Sequence, residues 1–382
     1  IKRYNERRNW RKNRLVVIKK LFKFIIFFIF ICFIKLSYSS QILDYETERF
    51  VNSLILKIKT ANNINKNIKY KILANDNINA FVDITNTIHI TSGLIENSPD
   101  YVALLSVIAH EIGHIDKNHI TIRSKSINKL NNYKNLSTIS IIAGSMISNS
   151  PELIQGIALS NAGLADAYIG FSKEQEIEAD IYSLNTLKRL KISSISIVEL
   201  LEIIEKKALK KGFTKEKQRI STHPYFDDRI DLINFVNNNN EKNFDDNQNI
   251  AFNFIQAKFI GYNGNVIKIS QLDEPYKSYA ESIYHAKNGN LIESLRKINK
   301  IILDNKENLF LLETKAEILF SNGYIDESVK FYEKVVNKYP DNNYAKIRIL
   351  SNLDMKNMTK EKLNNIFLEN IKTLKKNYNN SS

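Results

Sequence analysis

The chain has 382 residues, 43% of them hydrophobic and 25% charged, with five prolines, eleven glycines and one cysteine. That length suits two domains with separate cores, and so little proline and glycine favours helices over turn-rich sheets. The formal charge of +14 is concentrated in the first forty residues, where eleven Lys or Arg face one acid; the rest carries no clustered basic face, which excludes nucleic acid as a partner.

Residues 1–39 read as an export signal. A basic stretch ends at Lys19, Lys20 and Lys23, and the apolar run FIIFFIFICFI follows from Phe24 to Ile34. That run is short for a membrane span but suits the apolar segment of a signal, with Ser37 and Ser39 as small residues before a cleavage point. Left uncut, the same segment would be an N-terminal anchor. Cys32 lies within it, so the remaining chain offers no disulfide and no thiolate. A metal held there must be held by histidine and carboxylate.

The spacing of Phe50, Leu54 and Ile58 predicts a helix over 42–60. Alternation in Tyr70–Leu73 and Thr87–Thr91 predicts strands, with DITN as turn chemistry between them, and His89 as a half-buried strand residue. A helix over 101–117 follows, with Ser98 or Asp100 as its cap. Residues 136–170 mix apolar residues with Ala, Gly and Ser in the manner of close helix packing or a lid. Helices are then expected at 173–191, 196–211 and about 227–236, followed by an Asn-rich acidic hinge.

Beyond the hinge, NGNLIES at 288–294 returns as NGYIDES at 322–328, an offset of 34 residues. That period is the one of helix–turn–helix tetratricopeptide repeats. A single unit cannot bury its apolar face, so 273–382 reads as a short stack of helix pairs. The division expected from sequence is a signal at 1–39, a catalytic domain at 41–260, a linker at 261–272 and an α-helical repeat domain at 273–382.

The chemistry sits in VIAHEIGHIDKNH, residues 107–119. His110, Glu111 and His114 spell H-E-x-x-H. On a helix, positions i and i+4 share a face about 5–6 Å apart, so both imidazoles can meet one ion. Glu111, one residue round, can reach a water there without being a ligand. A divalent ion lowers the pKa of a water it binds to about 7 and polarises a carbonyl, while the carboxylate takes the proton. With six histidines in 382 residues, chance yields this pattern less than about one time in a hundred. The flanking Val107, Ile108, Ile112 and Ile115 also turn these polar groups inward, where they need a purpose.

A third ligand is required. His119 is nine residues after His110, with no glycine between His114 and His119, so on an unbroken helix it points elsewhere, as a helix-end or surface residue. The helix SKEQEIEADIYSL is the better source. Glu176 and Asp180 lie on one face at i and i+4, one to complete a His₂Glu site and the other to accept the outer N–H of a ligating histidine. On composition alone Glu174 and Glu178 compete with Glu176.

H-E-I-G-H followed at this distance by E-I-E-A-D resembles the gluzincin metallopeptidase family forty-eight, which includes CAAX prenyl proteases and HtpX-type proteases. INAF (78–81), IHITSGLI (88–95) and STHP with a later Arg (Ser221–Pro224, Arg229) extend the likeness over about 42–260. The resemblance implies an α+β, mostly helical zincin-like domain with a small sheet. It places the third Zn²⁺ ligand on Glu176, with Asp180 paired to it. It also implies that His223 is an extra resting ligand or an oxyanion donor, and that Arg229 bonds Asp180 or the oxyanion.

With an export signal and C-terminal repeats, the chain looks most like the periplasmic branch of that family. This implies polypeptide substrates, namely unfolded or misassembled envelope proteins, and contact of the repeats with outer-membrane assembly machinery. Strand Thr87–Thr91 would pair with an extended substrate. The rival reading is a chaperone or assembly adaptor whose protease is latent.

Overall fold

The structure is a computed structural model that describes residues 40–83, 85–120, 171–210, 229, 233 and 243–351. The expected signal, the segment 136–170, His223 and the chain after 351 lie outside the described residues. Those described fall in one compact unit, Ser40–Ser382.

The first part is a helix–sheet layer. β1 (Gln41–Ile42) leads to α1 (Tyr45–Asn62), whose first turn is closed by Asp44 accepting from the Thr47 backbone N–H. β2 (Lys69–Leu73), β3 (Ala80–Val82) and β4 (Thr87–Thr91) complete a four-stranded sheet in the order β1-β2-β4-β3. β2 runs parallel to β4, and β3 antiparallel. The hairpin turns as DITN predicts: Asp83 accepts from Thr85 and Thr87, and Asn86 takes the left-handed conformation at φ 59°. β4 therefore has a neighbour on each side. The expectation that Thr87–Thr91 pairs with substrate is overturned, because both its hydrogen-bonding edges are occupied; β3 ends the sheet.

Three helices follow: α2 (Ser92–Asn97), α3 (Tyr101–Asp116) and, past the undescribed segment, α4 (Lys173–Leu190). Asp100 caps α3 by accepting from Ala103 N–H, while Ser98 ends α2. The second carboxylate oxygen of Asp100 accepts from Ser196 on α5 (Ile195–Lys210). α3 is apolar nearly all round. Val102, Leu105, Ile108 and Ile112 are fully buried, each worth roughly 1.5–3 kcal/mol against exposure. Such a helix belongs at the centre of a domain, so its few polar side chains are forced into the interior.

No linker occupies 261–272. α6 (Asp246–Asn263) runs through that boundary and α7 (Val266–Ser270) follows it. α6 serves two cores at once: Phe252, Ile255 and Phe259 join the first, while Phe254, Ala257 and Ile260 join the second. A shared helix leaves no room for a flexible joint. Gly261 lets α6 come close to α8 (Tyr276–Lys287), since an added Cβ would lie 2.8 Å from the Ala280 carbonyl oxygen.

The C-terminal part is built of helical hairpins. α8 and α9 (Leu291–Asp304) are followed by α10 (Phe310–Ser321) and α11 (Ile325–Lys338), then α12 (Asn343–Ser351). Both helices of the second pair begin and end 34 residues after those of the first. Gly289 and Gly323 take φ 77° and 85° in the two turns, a conformation that favours glycine. Ser294 and Ser328 are fully buried at matching positions of α9 and α11.

Candidate metal centre

The site is made where α3 crosses α4, and two small residues set the distance. A Cβ on Gly113 would lie 3.1 Å from Tyr182 Cβ and 3.3 Å from Ala179 Cα. Glycine in H-E-I-G-H and alanine in E-A-D thus let the backbones approach closely. Ser183 adds a hydrogen bond of 2.8 Å to the Ser106 carbonyl. The start of α4 is fixed by Ser172, whose hydroxyl accepts from Gln175 N–H while the Gln175 side chain accepts from Ser172 N–H. Glu176 then stands in the first turn, where the helix dipole favours a carboxylate.

The crossing brings together His110, His114 and Glu176, all buried. His110 Nε2 lies 3.0 Å from His114 Nε2 and 3.4 Å from Glu176 Oε2; His114 Nε2 lies 3.6 Å from Glu176 Oε1. Bonds of about 2.0–2.2 Å in a tetrahedral arrangement put donors about 3.3–3.6 Å apart. Two imidazoles and a carboxylate at these separations fit one divalent ion. Glu111 is buried on the same helix, beside His110.

Each histidine is held from behind. His110 Nδ1 is 2.8 Å from Asp180 Oδ1, so Asp180 accepts the outer N–H as its i+4 spacing from Glu176 predicts. Arg229 grips the same carboxylate with two hydrogen bonds of 2.7 Å from Nε and Nη2, and Nη2 also lies 3.5 Å from His110 Nδ1. Burial pushes the Asp180 carboxyl up, but Arg229 and His110 outweigh it and hold the pKa at about 2. Burial likewise opposes the charge on Arg229, and Asp180 more than offsets it, so its pKa rises. For His110, burial lowers and Asp180 raises, with a net shift upward.

His114 is held differently. Its ring stacks on Phe171 at a centroid distance of 3.7 Å, and its Nδ1 is 2.9 Å from His119 Nδ1. His119 Nε2 is 2.8 Å from Glu178 Oε2. Of the expectation of a helix-end or surface histidine, the surface part is corrected here: His119 stands just past the end of α3, but it is 2% exposed and faces His114. The helix is not unbroken. Lys117 ends α3, and Asn118 takes the left-handed conformation at φ 59°, which turns the next residue back. Asparagine adopts that conformation more readily than most residues, so it served where a glycine was the signal sought.

Of the competing acids, Glu174 is exposed and Glu178 contacts His119, which leaves Glu176 in the donor cluster. His89 is half-buried, bonded to Asp83 at 2.9 Å and stacked on Phe81.

Known proteins share this region. A beta-barrel assembly-enhancing protease of Yersinia pestis is 23% identical over 185 residues, 48% of this chain and 37% of the relative. The protein of the same name from Escherichia coli (strain K12) gives the same figures. Metalloprotease LoiP of that strain is 27% identical over 173 residues, 45% of this chain and 64% of the relative. The chain thus spans little more than a third of the length of the first two. The model of Peptidase family M48 matches residues 45–235, half of the sequence. With the two histidines and the glutamate meeting inside that span, the chain belongs to peptidase family M48.

Proposed function

We propose that this protein is a zinc-dependent endopeptidase of the periplasm that cuts unfolded or misassembled envelope polypeptides. The observation that carries the reading is the buried trio His110, His114 and Glu176 with donor atoms 3.0–3.6 Å apart, and Glu111 next to it on α3. A bound zinc ion supplies Lewis acidity to the scissile carbonyl and to the attacking water.

The chain's own residues do the rest. Glu111 takes the proton of the attacking water and delivers it to the leaving amine. Asp180 fixes the His110 proton on Nδ1, which leaves the Nε2 lone pair directed at Glu176 and His114. Arg229 keeps Asp180 ionised and aimed. It stands behind His110, which supports a positioning role for it over an oxyanion role. His223 is assigned the oxyanion or resting-ligand role on resemblance. An extended substrate would lie along β3, which is an edge strand of the sheet among the described residues and neighbours β4. The helical hairpins act as tetratricopeptide repeats that recruit substrate or outer-membrane assembly machinery; a role in assembly is in keeping with the beta-barrel assembly-enhancing proteases that the chain resembles.

The test is a pair of variants measured for bound zinc and for cleavage of an unfolded protein such as casein. Wild type should carry one zinc per chain. Glu111→Gln should keep it while turnover falls by roughly 10²–10⁴-fold. Glu176→Ala should lose both. Full turnover in Glu111→Gln would end the protease reading.

A further inference from the structure

Two ligand histidines normally need two outer partners, because an imidazole that turns one nitrogen to a cation presents an N–H on the other. His110 has Asp180. At the corresponding position behind His114 stands another imidazole, with a carboxylate beyond it: His114 Nδ1 to His119 Nδ1 at 2.9 Å, then His119 Nε2 to Glu178 Oε2 at 2.8 Å.

We propose that His119 and Glu178 form a positioning relay that fixes the ring orientation and tautomer of His114, and so sets how tightly the centre holds its ion. The inference rests on the metal-centre reading above and names residues to which neither the family match nor the relatives assign a role.

The protons admit one consistent pattern. His114 faces His110 and Glu176 with Nε2, so that nitrogen carries the lone pair and Nδ1 carries the hydrogen. His119 must then accept at Nδ1, which places its own hydrogen on Nε2. Glu178 can only accept, and it sits where that hydrogen points. Each link forces the next. The backbone is shaped for the contact, since left-handed Asn118 turns His119 under His114. Burial agrees: His119 is 2% exposed, and such a side chain needs both nitrogens satisfied. Phe171 stacks on a face of the His114 ring and limits its tilt, which leaves rotation about the ring normal for His119 to fix.

The outer end of the relay differs from its inner end. The Glu178 side chain is 58% exposed, so water can replace it as acceptor. His119 has no such substitute. The relay therefore predicts a graded response: large at His119, small at Glu178.

The experiment measures zinc dissociation constants of the full chain by chelator competition, with the melting temperature of the zinc-free protein as a check on folding. His119→Phe keeps the ring and removes both nitrogens; its dissociation constant should rise by roughly 10–100-fold. His119→Gln offers an amide oxygen to His114 and should recover most of that loss. Glu178→Ala should weaken binding only a few-fold. Asn118→Gly should bind like wild type, and Asn118→Val, which disfavours the left-handed turn, should bind like His119→Phe. Wild-type affinity in His119→Phe overturns the relay, as does His119→Gln binding no better than His119→Phe. If instead the wild type takes up no zinc, or Glu176→Ala holds it equally well, the metal-centre reading itself has failed.

Discussion

Two buried clusters in this molecule use the same kinds of side chain and do opposite things. At the α3–α4 crossing, His110, His114 and Glu176 turn their donor atoms toward one another, while the nearby cation Arg229 is engaged by Asp180. At the junction of α1, α6 and α10, the cluster carries its own cation at its centre. Lys258 is 2.9 Å from Asp44 and 2.5 Å from Glu46, and Glu313 of α10 lies close by, bonded to Asn342. The first arrangement could hold an ion from outside. The second is complete as a buried ion-pair network. Acidic residues in a core therefore say little until the place of the cation is known.

The sharpest way to break this contrast is to exchange the two readouts. Lys258→Ala leaves the buried Glu46 and the half-buried Asp44 without their cation and should cost about 3–5 kcal/mol in denaturant unfolding, with zinc per folded chain unchanged. Glu176→Ala should do the reverse. Zinc falls from one equivalent to near zero, and the zinc-free stability moves by less than about 1 kcal/mol. Should Lys258→Ala lose zinc in the folded state, the two clusters are not separate.

A smaller effect is expected from the helix crossing. Gly113→Val drives methyl groups into Tyr182 and Ala179, which already stand 3.1–3.3 Å from an added Cβ. Overpacking of this kind costs about 1–3 kcal/mol. Because the crossing carries the ligands, zinc affinity should fall with stability, in contrast to Lys258→Ala.

The metal centre was legible in the sequence because its spacing obeys helix geometry. An offset of four from His110 to His114, and of four from Glu176 to Asp180, puts each pair on one face, and only the meeting of the two helices needed the fold or the family resemblance. His119 was missed for a local reason. The rule sought a glycine at the helix break, and Asn118 made the left-handed turn instead. The repeat period of 34 gave the hairpin boundaries, since the turn glycines and small buried serines recur with it. The linker was misplaced because composition changes in the Asn-rich stretch, whereas α6 is apolar on two faces, a property of packing partners rather than of the segment alone. For the same reason Lys258 gave no sign of being buried: its partners Asp44 and Glu46 lie more than two hundred residues away.

The junction should also respond to pH in a direction its charges dictate. Burial pushes Glu313 up to about 7, with Lys258 partly offsetting it. Burial and then Asp44 bring Glu48 to about 7, and burial raises Glu46 as well. A carboxyl raised in the folded state binds its proton more tightly there than when unfolded. Its contribution is complete below the ordinary carboxylate range and is lost as pH climbs through 7. Asp44 has the opposite sign, since Lys258 and Thr47 overcome its burial and lower it, so its contribution disappears only under acid conditions. Between pH 5.5 and 8.5 the raised glutamates decide the outcome, and unfolding free energy should fall by about 1–3 kcal/mol. Glu313→Gln keeps an oxygen for Asn342 and removes the titration, so its profile over that range should be flatter than wild type. An equally steep profile in Glu313→Gln would mean that the pH response arises away from α10 and that the hairpins are not coupled to the catalytic part through this network.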